Sequence, residues 1–153
     1  MSGPRLQAMR VIELRDECSG LEAFVVIDHD LFSVSAGGTR MLPDVEVQEV
    51  ARLARAMTWK FAVCQVPYAG AKAGVRFAGG DRDAVIAAYS RALAPYHDVF
   101  ETGPDMGTSP EDFLAGWEGP AIHLRAGEDI VTIGRVAHAG DDGTPFRQRG
   151  LRA

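Results

Sequence analysis

The chain has 153 residues, enough for one domain with a sizeable hydrophobic core. Its formal net charge is −5, and this acidic balance argues against a nucleic-acid footprint or a polybasic membrane surface. No apolar run reaches the roughly 20 residues of a membrane span, and the N-terminus lacks the apolar segment of a secretion signal. Two cysteines without a CxxC pair predict a reduced, cytoplasmic protein without a structural metal site.

The first third of the chain predicts three strands. Short runs rich in valine and isoleucine occupy Met9–Leu14 and Glu22–Ile27, with a turn between them. Leu31–Ala36 is a third candidate, ended by Gly37-Gly38. Three successive strands with short links predict an antiparallel or mixed sheet.

Three helices are predicted from capping residues and apolar spacing. Asp44 is the expected N-cap of the first, which should end near residues 58–60. The second spans Asp81–Leu93, and a short third runs over Pro110–Trp117, with proline in its first turn.

The segments between these helices predict short strands and loops. Phe61–Val66 and Val75–Phe77 are expected as strands, and the small residues of Tyr68–Gly74 between them as a loop. Val99–Thr102 should form another strand, followed by a loop over Gly103–Ser109.

The final part of the chain returns to strand patterns at Ile122–Arg125 and Ile130–Val136. The elements together predict an α/β (α+β) fold, a mixed sheet flanked by helices. We expect one domain over residues 1–139 and a polar, flexible tail over 140–153.

Lysine is rare in this chain. Of 16 basic residues only Lys60 and Lys72 are lysines, and the other 14 are arginines. An amine can release its proton when buried or form an imine, whereas a guanidinium stays charged. The skew therefore indicates a chemical role for the amines, although biased codon usage would also produce it.

Four short segments of small and polar residues lie beside predicted strands or helices: 37–40, 57–60, 70–74 and 105–108. Binding groups tend to lie on loops above a rigid sheet. Two amines, a carboxylate and free N–H groups suit a small carboxylate ligand with an adjacent reacting carbon. One ammonium would pair with the ligand, while the second amine and the aspartate would exchange protons.

Each of these residues also has a purely structural interpretation. Gly37-Gly38 could form a plain turn, and Lys60 could interact with the C-terminal end of a helix. Lys72 could be a solvated loop residue and Asp105 a turn residue. Arg40 fits an anion site or, more simply, a structural salt bridge. Residue types and spacing alone leave these alternatives open.

Taken in order, the four motifs resemble those of the glutamate/leucine/phenylalanine/valine dehydrogenase family. They are Gly37–Asp44, Met57–Ala62, Pro67–Val75 and Thr102–Asp112. The last is most similar to the leucine and phenylalanine branch, and the resemblance covers roughly residues 9–117.

The resemblance implies the family's first domain, which binds the amino acid and makes oligomer contacts. Lys60 then matches the lysine that grips the substrate α-carboxylate, Lys72 the catalytic lysine and Asp105 the catalytic aspartate. The remaining matches are Gly37 and Gly38 beneath the carboxylate, and Ala36, Met57 and Gly103 near the substrate side chain.

Two departures from the family pattern stand out. Ala71 occupies a position where the family has glycine, and its methyl group would shift the loop or narrow the pocket. The family binds NAD(P) through a second, Rossmann domain, but these 153 residues contain no GxGxxG turn. We therefore expect no cofactor site in this chain and no hydride transfer by it alone.

Three functions remain open. The chain could be a cofactor-independent enzyme that moves protons on an amino, imino or 2-keto acid, with or without a Lys72 imine. It could instead be a binding or regulatory subunit that assembles with itself, with a full-length dehydrogenase or with a separate nucleotide-binding subunit. A structural remnant without a ligand is the third interpretation.

Overall fold

The computed structural model describes residues 9–114 and two strands at 122–126 and 129–133, with side chains described for residues 9–113. The limits of the predicted domain 1–139, the tail 140–153, the third helix beyond 114 and the last strand beyond 133 lie outside the described residues.

The described part of the chain alternates strands and helices. The strands are β1 (Arg10–Asp16), β2 (Leu21–Ile27), β3 (Ser35–Leu42), β4 (Ala69–Arg76), β5 (Phe100–Pro104), β6 (Ile122–Ala126) and β7 (Asp129–Ile133). The helices are α1 (Val47–Val63), α2 (Arg82–Leu93) and α3 (Glu111–Leu114), with a 3₁₀ turn at Ala94–Tyr96.

Strands β1 to β5 form one mixed sheet in the order β1-β2-β4-β3-β5. β2 is antiparallel to both β1 and β4, whereas β3 is parallel to both β4 and β5. β6 and β7 form a separate antiparallel pair. The predicted α/β class with a mixed sheet is confirmed.

The two faces of the sheet bury different cores. The α2 face carries the larger core, which includes Ile12, Val25, Met41, Val75 and Tyr89. The α1 face carries a smaller one, formed by Phe24, Val26, Val45, Val50 and Ala54. α1 packs mainly against β4 and β2 and contacts β3 much less.

Gly37-Gly38 does not end a strand, as the sequence predicted, but lies inside β3. Neither glycine has a positive φ, so the backbone conformation does not require them. Space does: a Cβ built on Gly37 would lie 1.6 Å from the carbonyl oxygen of Ala71 in the neighbouring strand.

The predicted strand Phe61–Val66 and the predicted loop Tyr68–Gly74 are wrong. α1 continues to Val63, and the small residues form β4, the strand between β2 and β3. Glycine and alanine are unfavourable in strands in general, but here the helix comes very close: a Cβ on Gly70 would lie 2.1 Å from the Ala54 carbonyl oxygen.

Of the two predicted N-cap residues, one is wrong and one is confirmed. Asp44 is not the N-cap of α1, since Glu46 holds that position without a side-chain hydrogen bond. Asp81 does cap α2, and its carboxylate accepts a hydrogen bond from the Ala84 N–H at 3.0 Å.

Within the described part of the chain, no helix is both long and apolar enough to cross a membrane. In the same ranges, no three His, Cys, Asp or Glu side chains are grouped so that they could hold a metal ion.

Candidate functional site

The α1 face of β3, β4 and β5 carries the candidate site. Thr39 and Thr102 point to the opposite face, where the Thr39 hydroxyl lies 2.7 Å from the hydroxyls of both Thr102 and Tyr89 of α2. Successive strand residues face opposite sides. Gly38 and Gly103, which are register partners, therefore share the α1 face.

Lys72 and Asp105 meet on this face. The Lys72 ammonium nitrogen lies 3.1 Å from Asp105 Oδ2, and Lys72 is only 8% exposed. Arg40 Nε donates to the same oxygen at 2.9 Å, and the Arg40 guanidinium also pairs with Glu49 of α1. Arg40 thus forms a structural salt bridge, the simpler of its two sequence interpretations.

The charge state of Asp105 follows from these partners. Partial burial would raise the pKa of Asp105, but hydrogen bonds and positive charge from Arg40 and Lys72 outweigh it and hold the pKa below its usual value. Asp105 is therefore an ionised acceptor at neutral pH.

A tight turn after β5 fixes the position of Asp105. Thr108 Oγ1 accepts from the Asp105 N–H at 2.9 Å and donates to the Thr39 carbonyl oxygen at 2.7 Å. Gly107 has φ 77°, and a Cβ there would lie 1.9 Å from the Met41 carbonyl oxygen, so only glycine fits. The Asp-Met-Gly-Thr motif is thus a carboxylate-positioning turn.

The floor beside the ion pair has almost no side chains. A Cβ on Gly38 would lie 3.2 Å from Lys72 Nζ, so this glycine borders the pair directly. A Cβ on Gly103 would meet no atom of the described residues within 4 Å, so these residues leave the space above it open. Ala36, two residues before Gly38 on β3, is buried on the same face. These residues leave room for a small ligand beside Lys72 and Asp105.

Ala71 does not narrow this space. Its methyl group is fully buried in the larger core on the α2 face, whereas Lys72, the next residue, points to the α1 face. The predicted narrowing of the pocket is therefore wrong, whereas the predicted shift of this segment stays a prediction.

The two predicted binding residues on α1 lie near its C-terminal end. Met57 is half-buried, and Lys60 is exposed, with no hydrogen bond or ion pair from its ammonium group to any residue that the structure describes. Thr58 between them anchors the helix: it donates to the buried Asp28 carboxylate at 2.7 Å and accepts from the Gly70 N–H at 3.0 Å.

The structure therefore joins most, but not all, of the predicted site residues. Lys72, Asp105, Gly38, Gly103 and Ala36 share one face of the sheet, and Gly37 lets β3 and β4 approach each other. Lys60 and Met57 lie on α1, and neither side chain forms a hydrogen bond or ion pair with Lys72 or Asp105.

Glu101 was missed by the sequence reasoning. It precedes Gly103 by two positions on β5 and pairs in register with Ala36, so it shares the α1 face. Burial raises the pKa of Glu101 to about 7, and its Oε2 atom has no hydrogen-bond partner among the described residues. The available signal was a charged residue inside the predicted strand Val99–Thr102.

The described residues do not fit a dinucleotide. Such a site needs a glycine-rich turn between a strand and a helix N-terminus. The Gly37-Gly38 pair instead lies inside β3, with its space taken by the backbone of Ala71 and by Pro104 and Asp105.

Comparison with known proteins places this geometry in a family. Residues 7–115 match the family model described as "Glu/Leu/Phe/Val dehydrogenase, dimerisation domain". The chain belongs to this family.

Two individual relatives of this chain, a phenylalanine dehydrogenase and a glutamate dehydrogenase, agree with the family match. The chain is 32% identical over 112 residues to phenylalanine dehydrogenase of Lysinibacillus sphaericus, which covers 69% of this chain and 29% of the relative. It is 39% identical over 127 residues to mitochondrial glutamate dehydrogenase of Dictyostelium discoideum, which covers 76% and 24%. The chain thus spans less than a third of the length of these relatives.

A solved structure supports the same fold. L-tryptophan dehydrogenase from Nostoc punctiforme superposes with a TM-score of 0.62 at 28% sequence identity, over 68% of this chain and 32% of that one. The mixed sheet with its flanking helices is therefore the fold of the dehydrogenase N-terminal domain.

Proposed function

We propose that this chain binds a small amino, imino or 2-keto acid above Gly38 and Gly103, and that Lys72 and Asp105 exchange protons with it. The observation that carries the proposal is the 3.1 Å contact between Lys72 and Asp105 beside an open glycine floor. A paired amine and carboxylate next to unfilled space offer a proton donor and an acceptor to a reacting nitrogen or carbonyl oxygen.

Lys72 and Lys60 have different roles in this proposal. Lys72 is committed to Asp105, whereas the exposed Lys60 ammonium has no partner among the described residues. Lys60 is therefore available to pair with the ligand carboxylate, a charge-assisted contact of the stronger kind. Ala36 and Met57 would then border the ligand side chain.

A thermal-shift screen against amino and 2-keto acids tests the binding step. A ligand that binds only the folded state raises the unfolding temperature. We expect Lys60→Ala to weaken binding by about ten-fold or more, since a hydrogen bond to a charged group contributes roughly 1.5–3 kcal/mol. Arg52→Ala is the matched control, because it removes an exposed positive charge from the same helix. Equal effects of the two substitutions, or no stabilising ligand at all, would contradict the proposal.

Borohydride reduction in the presence of a 2-keto acid tests the chemistry of Lys72. If the amine adds to the keto carbon and water leaves, an imine forms, and borohydride reduces it to a stable secondary amine. Intact-mass and peptide analysis would then locate the adduct on Lys72 and find none in Lys72→Met. An adduct-free wild type limits the pair to proton exchange, which deuterium incorporation into the bound acid would detect.

A second candidate is a non-catalytic binding or regulatory subunit that assembles with itself or with a larger dehydrogenase. Two observations favour it: the matching family domain is described as a dimerisation domain, and β1 is one of the two edge strands of the sheet. On this edge Met9 and Val11 are 45% and 41% exposed. Light scattering of the purified chain and of Val11→Lys would test it, since a charge on the edge opposes strand pairing.

A further inference from the structure

Glu101 has a hydrogen-bonding oxygen that no described residue uses. Its Oε2 atom is buried and has no hydrogen-bond partner among the described residues. Buried polar atoms are normally paired, and an unpaired one destabilises the fold. Burial also raises the pKa of Glu101 to about 7. A group retained under such conditions requires an explanation beyond packing.

The position of Glu101 connects it with the candidate site. Glu101 and Gly103 alternate along β5 and therefore share one face, and Asp105, the residue after the strand, contacts Lys72 on that same face. Glu101 lies two residues, about 7 Å, from Gly103. No described residue fills the space above Gly103, so no side chain of β5 separates the Lys72–Asp105 pair from Glu101.

The neighbours of Glu101 do not satisfy it. Ala36, its register partner on β3, offers only a methyl group. Burial raises the pKa of Tyr68, and the negative charge of Glu101 raises it further. The two side chains nevertheless form no hydrogen bond. In the ranges that the structure describes, no lysine or arginine forms an ion pair with Glu101.

Resting on the proposed function, we propose that Glu101 selects the side chain of the bound acid and favours one that ends in an amino or other N–H donor group. A ligand whose α-carbon lies beside Lys72 extends over Gly103 and brings its side-chain terminus to Glu101. A terminal ammonium supplies the hydrogen bond and the charge that the buried oxygen lacks. An aliphatic side chain of equal length leaves that oxygen unsatisfied. The favoured class is a basic amino acid or its 2-keto counterpart.

Calorimetric titration with L-lysine and L-norleucine tests this selection, because the two share a carbon skeleton and differ in the terminal ammonium. We expect the wild-type chain to bind L-lysine about ten-fold or more tightly than L-norleucine, the ratio that one charge-assisted hydrogen bond supplies. Glu101→Gln, of equal size, should reduce the ratio to about three-fold or less, since a neutral acceptor gives a weaker bond.

The outcomes separate this inference from the proposed function. If the wild type binds L-norleucine as tightly as L-lysine, and Lys60→Ala weakens both, the selection by Glu101 is wrong and the proposed function stands. If no amino or 2-keto acid binds, the proposed function fails and the inference with it. Glu101→Ala provides a second variant that should also remove the preference, and the wild-type comparison requires no variant at all.

Discussion

Lys72 lies on β4 and Asp105 directly follows β5, two strands that are not neighbours, yet the two side chains meet at 3.1 Å. β3 lies between β4 and β5 in the sheet, and it carries Gly38 where the two side chains meet. A side chain at that position would occupy the space through which they reach each other. The ion pair therefore depends on the absence of atoms in the strand between its partners.

Gly38→Ala should break this arrangement. The added Cβ would lie 2.9 Å from the Pro104 carbonyl oxygen and 3.2 Å from Lys72 Nζ, so the strand or the lysine must move. We expect a loss of about 1–3 kcal/mol in the free energy of unfolding, as for other overpacked sites, together with weaker ligand binding. Urea denaturation measures the loss. Gly103→Ala, whose Cβ meets nothing within 4 Å, should retain full stability, and equal losses in the two variants would refute the steric argument.

Glu101 should make stability fall as pH rises. The pKa of Glu101 in the folded chain is about 7, against 4.5 without burial, so between these values the native state holds a proton that the unfolded chain has released. This contribution is complete below pH 4.5 and is lost as pH rises through about 7. We expect about 1 kcal/mol, because solvent reaches this half-buried side chain and screens it.

Glu101→Gln tests this pH dependence through urea unfolding at pH 5 and pH 8, which bracket most of that range. The variant should gain stability over the wild type at the higher pH and show a flatter profile. Glu17→Gln, at an exposed position, is the control that should change neither the stability at pH 8 nor the pH profile. A wild-type slope that persists in Glu101→Gln would assign the effect to another group.

Thr58→Val should loosen the attachment of α1 to the sheet. It leaves the Gly70 N–H without its acceptor and one oxygen of the buried Asp28 without its donor. We expect a loss of about 2–3 kcal/mol in the free energy of unfolding, read by thermal or urea denaturation. Ala56→Val, exposed on the same helix, measures the small propensity cost of a branched residue. A Thr58→Val loss no greater than that of Ala56→Val would mean that the hydroxyl does not anchor the helix.

Ala71→Gly should destabilise the chain without altering the cleft. The substitution removes a fully buried methyl group from the larger core and adds backbone freedom, which together predict a loss of about 1–2 kcal/mol. Because this methyl group faces α2, ligand affinity should stay within about two-fold of the wild type. A several-fold gain in affinity would show instead that Ala71 narrows the site.

Local signals predicted some elements well. α2 was found because Asp81 caps it through a contact three residues away, and that contact is visible in the sequence. β4 was missed because its small residues are required by parts of the chain that are distant in sequence. Gly70 leaves space for α1, and a Cβ on Gly74 would lie 2.8 Å from the Phe24 ring. Strand propensity cannot report such contacts.

The site shows the same division between local and distant information. The meeting of Lys72 with Asp105 was expected from the order of family motifs, and not from spacing alone. The role of Glu101 was not expected, because its burial depends on how β5 packs beside β3. The exposure of Lys60 follows likewise from where α1 ends, which the sequence had placed too early.

α1 connects the Arg40–Glu49 ion pair to Lys60 through one continuous helix. Glu49, in its first turn, pairs with Arg40, and Lys60 lies in its last turn. The helix rise between them is about 16 Å, and each residue turns the helix by about 100°. Adding or deleting one residue between Glu49 and Lys60 would rotate the Lys60 amine to another side of the helix, while the ion pair with Arg40 kept Glu49 in place. Length changes among natural or engineered variants should therefore be tolerated outside this helix and not within it.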